Sequence, residues 1–145
     1  MKAQSILLVI ILALATYAAF ISLKQPDRYL GSVVYDVHVI NGFSDNSSMP
    51  LVVWCSSSAD DDIGGRALQE GDEFSWSVKT IFWANIKFRC TMKFDRRRRR
   101  FEAFRRSRDV ERCNPTRHCF WLVKKDGFYF GNDGINWRKD FSWTM

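Results

Sequence analysis

The chain has 145 residues, a formal net charge of +6 and four cysteines. Beyond an apolar leader, the rest suits one domain of ordinary size and holds no second apolar run long enough to span a membrane. The charge is polarised: Arg89 to Arg112 carries eleven basic and four acidic residues, whereas Asp45 to Glu73 carries seven acidic residues and one arginine. Two such poles suggest oriented association with a charged partner, without saying which.

Residues 1–24 have the layout of a secretory signal peptide. Met1 and Lys2 give a short positive start, Ser5 to Ile21 is almost wholly apolar, and Ala13, Ala15, Ala18 and Ala19 supply small cleavage-site residues. The alternative is an uncleaved anchor, for which the run is slightly short of the roughly 20 residues needed. Residues 25–145 then form the exported domain.

In VVYDVHVIN, Val33, Tyr35, Val37 and Val39 fall on one face and Val34, Asp36, His38 and Ile40 on the other, which reads as a half-buried strand. Asn41 to Pro50 is a turn-rich loop carrying the N-glycosylation sequon Asn46-Ser47-Ser48. LVVWC is a short, nearly continuous apolar strand, central and covered on both sides, ending at Cys55, and Ser56 to Gly65 is a polar loop with Asp60, Asp61 and Asp62. A turn at Glu70-Gly71-Asp72 leads into a strand with Phe74, Trp76 and Val78 on one face.

Phe82 to Phe94 alternates throughout: Phe82, Ala84, Ile86, Phe88, Cys90, Met92 and Phe94 are apolar, with polar residues and Trp83 between them. One long strand with a dry face and a wet face is expected, at the centre of the domain. FEAF is its return partner, with Arg96, Arg97, Arg98, Arg99 and Arg100 at or near the hairpin tip. Arg105 to Thr116 reads as an irregular connection. Cys119, Trp121 and Val123 share one face of a further strand, Asp126-Gly127 signals a two-residue hairpin, and a last strand falls around Ile135 to Trp137. The fold class is all-β: a small antiparallel β-sandwich of seven or eight strands, with no helix beyond the leader.

An even number of cysteines in a small exported chain implies two disulfides among Cys55, Cys90, Cys113 and Cys119. Their wide spacings do not suit zinc, which prefers close pairs. Of three pairings, Cys55 with Cys119 and Cys90 with Cys113 is favoured.

Taken in order, these features resemble the plant self-incompatibility S-protein homologue family. The resemblance rests on LVVWCSSSADDDIG, on Leu68, Gly71 and the FSW of Phe74 to Trp76, on FRC at Phe88 to Cys90, on Arg108-Asp109 before Cys113, and on CFWLVKKDGFYF. It covers essentially the whole mature region. Two positions depart: Trp54 stands where the family often has histidine, and Phe94 where it usually has tryptophan. The resemblance implies a disulfide-linked β-sandwich with a secreted signalling or recognition role.

Other chemistry is poorly supplied. His38 and His118 are the only imidazoles, placed mid-strand and beside a cysteine, so their pairing as acid and base is not expected. An EF-hand begun at Asp60 meets Gly71 where glutamate is required. Five adjacent arginines repel one another and favour a solvated loop; the competing reading is a surface for an acidic partner or phospholipid. The sequence thus reads as a secreted, non-enzymatic protein ligand without cofactor or metal, monomeric, binding a cell-surface receptor. Its candidate binding loops are Asn41 to Pro50, Ser56 to Gly65 and Asp95 to Arg100. An anionic surface is a further partner, and nucleic acid is not an obligate one. The alternative is a secreted nuclease or nucleic-acid-binding defence protein using the arginine strip.

Overall fold

The computed structural model describes residues 2–24, 31–45, 48–58, 62–81 and 83–143, with no side-chain description for residues 22–24. It divides into two units, residues 1–32 and 33–145. The first holds helix α1 (Lys2–Lys24), whose Lys2–Ile21 segment has a mean hydropathy of 2.3 and exposes its apolar side chains. Its length and composition fit a signal peptide.

The second unit is mostly β, in two sheets with two disulfides. The strands are β1 (Val33–Asn41), β2 (Leu51–Ser57), β3 (Asp62–Leu68), β4 (Glu73–Thr80), β5 (Lys87–Phe94), β6 (Arg97–Arg105), β7 (His118–Lys124), β8 (Gly127–Gly131) and β9 (Arg138–Phe141). A seven-residue helix, α2 (Arg106–Arg112), lies between β6 and β7. One sheet has the order β4-β1-β7-β8-β9, the other β3-β2-β5-β6. Most neighbours are antiparallel, but β1 and β7 run parallel, with Val37 opposite Cys119 and Val39 opposite Trp121.

Alternation places the core as expected. Tyr35, Val37 and Val39 of β1 and Cys90 and Met92 of β5 are buried. β2 is not covered on both sides as expected: Leu51, Val53 and Cys55 are buried, but Val52 and Trp54 are exposed, because the four-stranded sheet has one outer face. Trp121 is wholly buried. From the five-stranded sheet its ring meets Phe101 of the other sheet at 4.9 Å, and its indole N–H donates to the Ala103 carbonyl at 2.8 Å. Burying that N–H without an acceptor would cost about 1–3 kcal/mol, so the bond fixes how the sheets meet as well as holding them.

Five local expectations are corrected. The strand begins at Lys87 and not at Phe82: the Ala84 N–H is spent on a turn, donating to the Ile81 carbonyl at 3.1 Å, while Phe82 lies outside the described residues. The loop expected through Gly65 ends at Asp62, because β3 pairs along β2 despite its poor strand formers; a Cβ at Gly65 would meet the Val53 carbonyl at 2.7 Å and the Trp54 ring. The irregular connection contains α2, and the last strand starts at Arg138, after Ile135 to Trp137. The second hairpin closes through Lys125 and Asp126, since Lys124 pairs with Gly127.

The disulfide pairing is also corrected. Cys55 bonds to Cys90 and Cys113 to Cys119. Cys55 and Cys90 are directly opposite on adjacent strands of one sheet, 4.1 Å apart at Cα. Cys113 caps the end of α2 and Cys119 is the second residue of β7, so six residues of separation close a tight loop. Neither bridge crosses between the sheets, which are joined instead by packing.

Candidate functional site

Two polar clusters lie on the outer faces of the two sheets, and they are chemically unlike. On the five-stranded sheet, parallel pairing sets Asp36 opposite His118 and His38 opposite Phe120. His38 and His118 therefore point the same way, and His38 Nε2 lies 2.9 Å from His118 Nδ1. The His38 ring stacks on Phe120 at 4.4 Å, and its Nδ1 contacts the Glu73 carboxylate. Asp36 Oδ2 is 3.9 Å from His118 Nδ1. The facing ring nitrogens are within hydrogen-bond distance, and the ring tautomers decide which of them donates. The histidine contact was not expected from sequence; the period-2 pattern put His38 on the wet face but could not say which strand lay beside it.

Of the arginine run, only Arg96 sits in the hairpin turn. The turn is Asp95 and Arg96, with Asp95 at φ 55°, a left-handed conformation that aspartate tolerates better than most. Arg97 to Arg100 belong to β6, an edge strand, and alternate across it. Arg97 and Arg99 turn toward the rim of the core, over the Trp143 ring at 5.7 Å and the Phe141 ring at 5.1 Å. Arg98 and Arg100 turn outward and are exposed. Charge along an edge strand also discourages pairing with another chain.

Outward-facing residues of the four-stranded sheet fall into rows. Val52, Lys93 and Arg98 form one, Trp54, Thr91 and Arg100 the next, and Ser56, Arg89 and Glu102 the third. Glu102 lies 3.4 Å from Arg105 and 4.0 Å from Arg89. A cleft of about 310 Å³ opens at one end of this face, lined by Ser56, Ser57, Ser58, Lys87, Arg89 and Arg100. A larger one of about 640 Å³ lies between the loop after β1 and the β7–β8 turn. Its lining mixes Asp45 and Asp126 with Arg97, Lys124 and Lys125 and includes no histidine or cysteine.

Asp62 begins β3 and accepts a bond from the Gly64 N–H at 2.9 Å. Asp60, Asp61 and the sequon Asn46 lie outside the described residues. Among the described residues no group of three or more His, Cys, Asp or Glu is arranged to hold a metal ion.

The family model for plant self-incompatibility protein S1 matches residues 36–143. The chain belongs to this family. It is 30% identical over 95 residues to S-protein homolog 24 of Arabidopsis thaliana, covering 64% of this chain and 61% of that protein. Over 88 residues it is 32% identical to S-protein homolog 6, covering 60% and 61%, and over 109 residues 26% identical to S-protein homolog 29, covering 74% and 76%. The match spans 61% and 51% of the lengths of homologs 24 and 2. No solved structure matches the chain.

In this S1-family chain the Arg108-Asp109 motif has a structural role. Asp109 is wholly buried. Its Oδ1 accepts from Arg108 Nε at 2.9 Å and Arg112 Nε at 2.6 Å, and its Oδ2 from the Arg105 N–H at 2.7 Å and Arg108 Nη2 at 2.9 Å. Arg112 also lies over the Phe130 ring at 3.7 Å. The motif thus pins α2, which has little apolar surface of its own, onto the end of β6. Four of the eleven basic residues counted in the sequence's cationic pole (Arg89, Arg105, Arg108 and Arg112) are engaged in these contacts or with Glu102. What remains facing outward is the row system of β5 and β6.

Proposed function

We propose that the chain is a secreted protein ligand of the S-protein type, acting by binding a cell-surface receptor in cell–cell recognition. Membership of the S1 family over residues 36–143 is the observation that carries this reading. The leader is removed on export, and the mature domain is a monomeric β-sandwich without cofactor, displaying its loops and outer faces. Surface charge steers the encounter, and a few exposed anchors supply affinity.

The test is proximity labelling on intact plant cells with the exported, oxidised protein. Saturable labelling of a membrane protein that persists at high salt is expected. Retention of the chain in the cytosol, or the absence of saturable labelling, would overturn the proposal.

A second reading, a secreted nuclease, draws on the 2.9 Å approach of His38 and His118. Against it, the outward arginines that would hold phosphate belong to the other sheet. RNA cleavage lost on His38→Ala would favour it.

A further inference from the structure

We propose that the outer face of the β3-β2-β5-β6 sheet is a binding site for an acidic polysaccharide, a polyuronate, with Trp54 as its stacking platform and the serine-lined cleft as its carboxylate subsite. The proposal is independent of the receptor reading.

Trp54 is 53% exposed in the middle of a strand, on a face whose partner strands carry charge. Its indole fills the space above Gly65 that any Cβ would need, so the glycine opposite lets the ring lie on the sheet. Val52, 41% exposed on the same face, extends the apolar ground. A pyranose ring has an apolar C–H face that stacks on such a surface, as a base does on an aromatic platform.

Across the same row, Thr91 and then Arg100 follow Trp54 at strand spacings of about 4.8 Å. The next row, about 6.8 Å along, brings Ser56 and Arg89. Together with Lys87 they surround the 310 Å³ cleft, near the lower end of the range of about 300–1,000 Å³ for ligand clefts. Hydroxyls and guanidinium groups are the donors that a ring bearing both hydroxyls and a carboxylate requires, and an arginine can hold a carboxylate through two parallel bonds. The third row carries two acids: Glu102 is held by Arg105 and Arg89, and Asp62, opposite Ser56 on β3, accepts the Gly64 N–H. Against them stand Arg89, Lys93, Arg98 and Arg100, which leave the face net positive.

Other polyanions fit less well. Single-stranded nucleic acid binders stack successive bases on several aromatics, whereas this face offers Trp54 as its exposed ring. A lipid surface would be gripped by charge and inserted apolar side chains and would leave the polar cleft unused.

Binding is measured by calorimetry and tryptophan emission on the exported, oxidised protein. The probes are oligogalacturonate, a neutral β-glucan oligosaccharide, polyglutamate, oligo(dT) and acidic phospholipid vesicles. Oligogalacturonate is expected to bind and to change the emission, ahead of the other four. Trp54→Ala should weaken it roughly ten-fold, equivalent to about 1.4 kcal/mol. Arg89→Ala with Arg100→Ala should weaken it and flatten its salt dependence. Both variants change exposed side chains, and unchanged thermal unfolding verifies the fold. Equal binding of polyglutamate would mean an unspecific cationic face and would overturn the proposal. So would tighter binding of oligo(dT) or vesicles, or no effect of Trp54→Ala.

Discussion

Asp109→Asn tests whether one buried carboxylate fastens α2 to the sheets. Each carboxylate oxygen accepts two bonds, Oδ1 from Arg108 Nε and Arg112 Nε and Oδ2 from the Arg105 N–H and Arg108 Nη2. Whichever way an asparagine amide is turned, its NH2 group meets two donors, and the other oxygen keeps the remaining two. The charge that balances two guanidinium groups is also lost. Removing one partner of a buried ion pair costs about 3–5 kcal/mol. Arg108 and Arg112 retain 26% and 19% exposure, which lets water reach them and moves the expected cost toward about 3 kcal/mol. Urea unfolding with both disulfides intact should show a lower midpoint at unchanged slope, and a melting temperature lower by about 10–15 °C for a domain of this size. A loss below about 1 kcal/mol would refute the reasoning, because surface ion pairs alone are worth that much.

Three further outcomes are expected. Gly65→Ala should cost about 1–3 kcal/mol by overpacking, because its Cβ would lie 2.7 Å from the Val53 carbonyl oxygen; chemical unfolding reads this, and a neutral result would mean that β3 can shift freely. Non-reducing digestion and mass spectrometry should recover peptides joining Cys55 to Cys90 and Cys113 to Cys119, and a Cys55–Cys119 peptide in folded protein would contradict the strand register. Asp133 is held below the usual carboxylate value by accepting bonds from the Asn136 N–H, the Ile135 N–H and the Asn136 side chain. A depressed folded value stabilises the loop above the unfolded value and is lost as pH falls through the folded one. The Ile135 and Asn136 amide signals should therefore move together below about pH 3.9 and stay fixed above it, and a transition near neutrality would contradict this.

Alternation alone was enough to read β1, β4 and the inner face of β7, since a side-chain period of two fixes which residues enter the core whatever the partner strand is. The apolar leader and the chemistry of the turns were equally legible, being local. Even there one turn slipped by a residue, because register with Lys124 and Gly127 set the hairpin closure. The family was also visible in the sequence, as the order of several short motifs.

Strand neighbours were not legible, and the larger errors follow from that. The disulfide pairing depended on Cys55 and Cys90 being opposite on β2 and β5, which 35 residues of separation do not reveal. The histidine contact required β1 and β7 to run parallel. The arginines looked like a loop because like charges repel, yet alternation on an edge strand lets two point outward and two lie over aromatic rings. The sequence by itself determined the faces of the alternating strands, the apolar N-terminal segment and the family, because these rest on local periodicity and motif order. Only the tertiary structure decided which faces meet which neighbours, because pairing between distant strands is set by register and by packing around Trp121, and neither is written in any one segment.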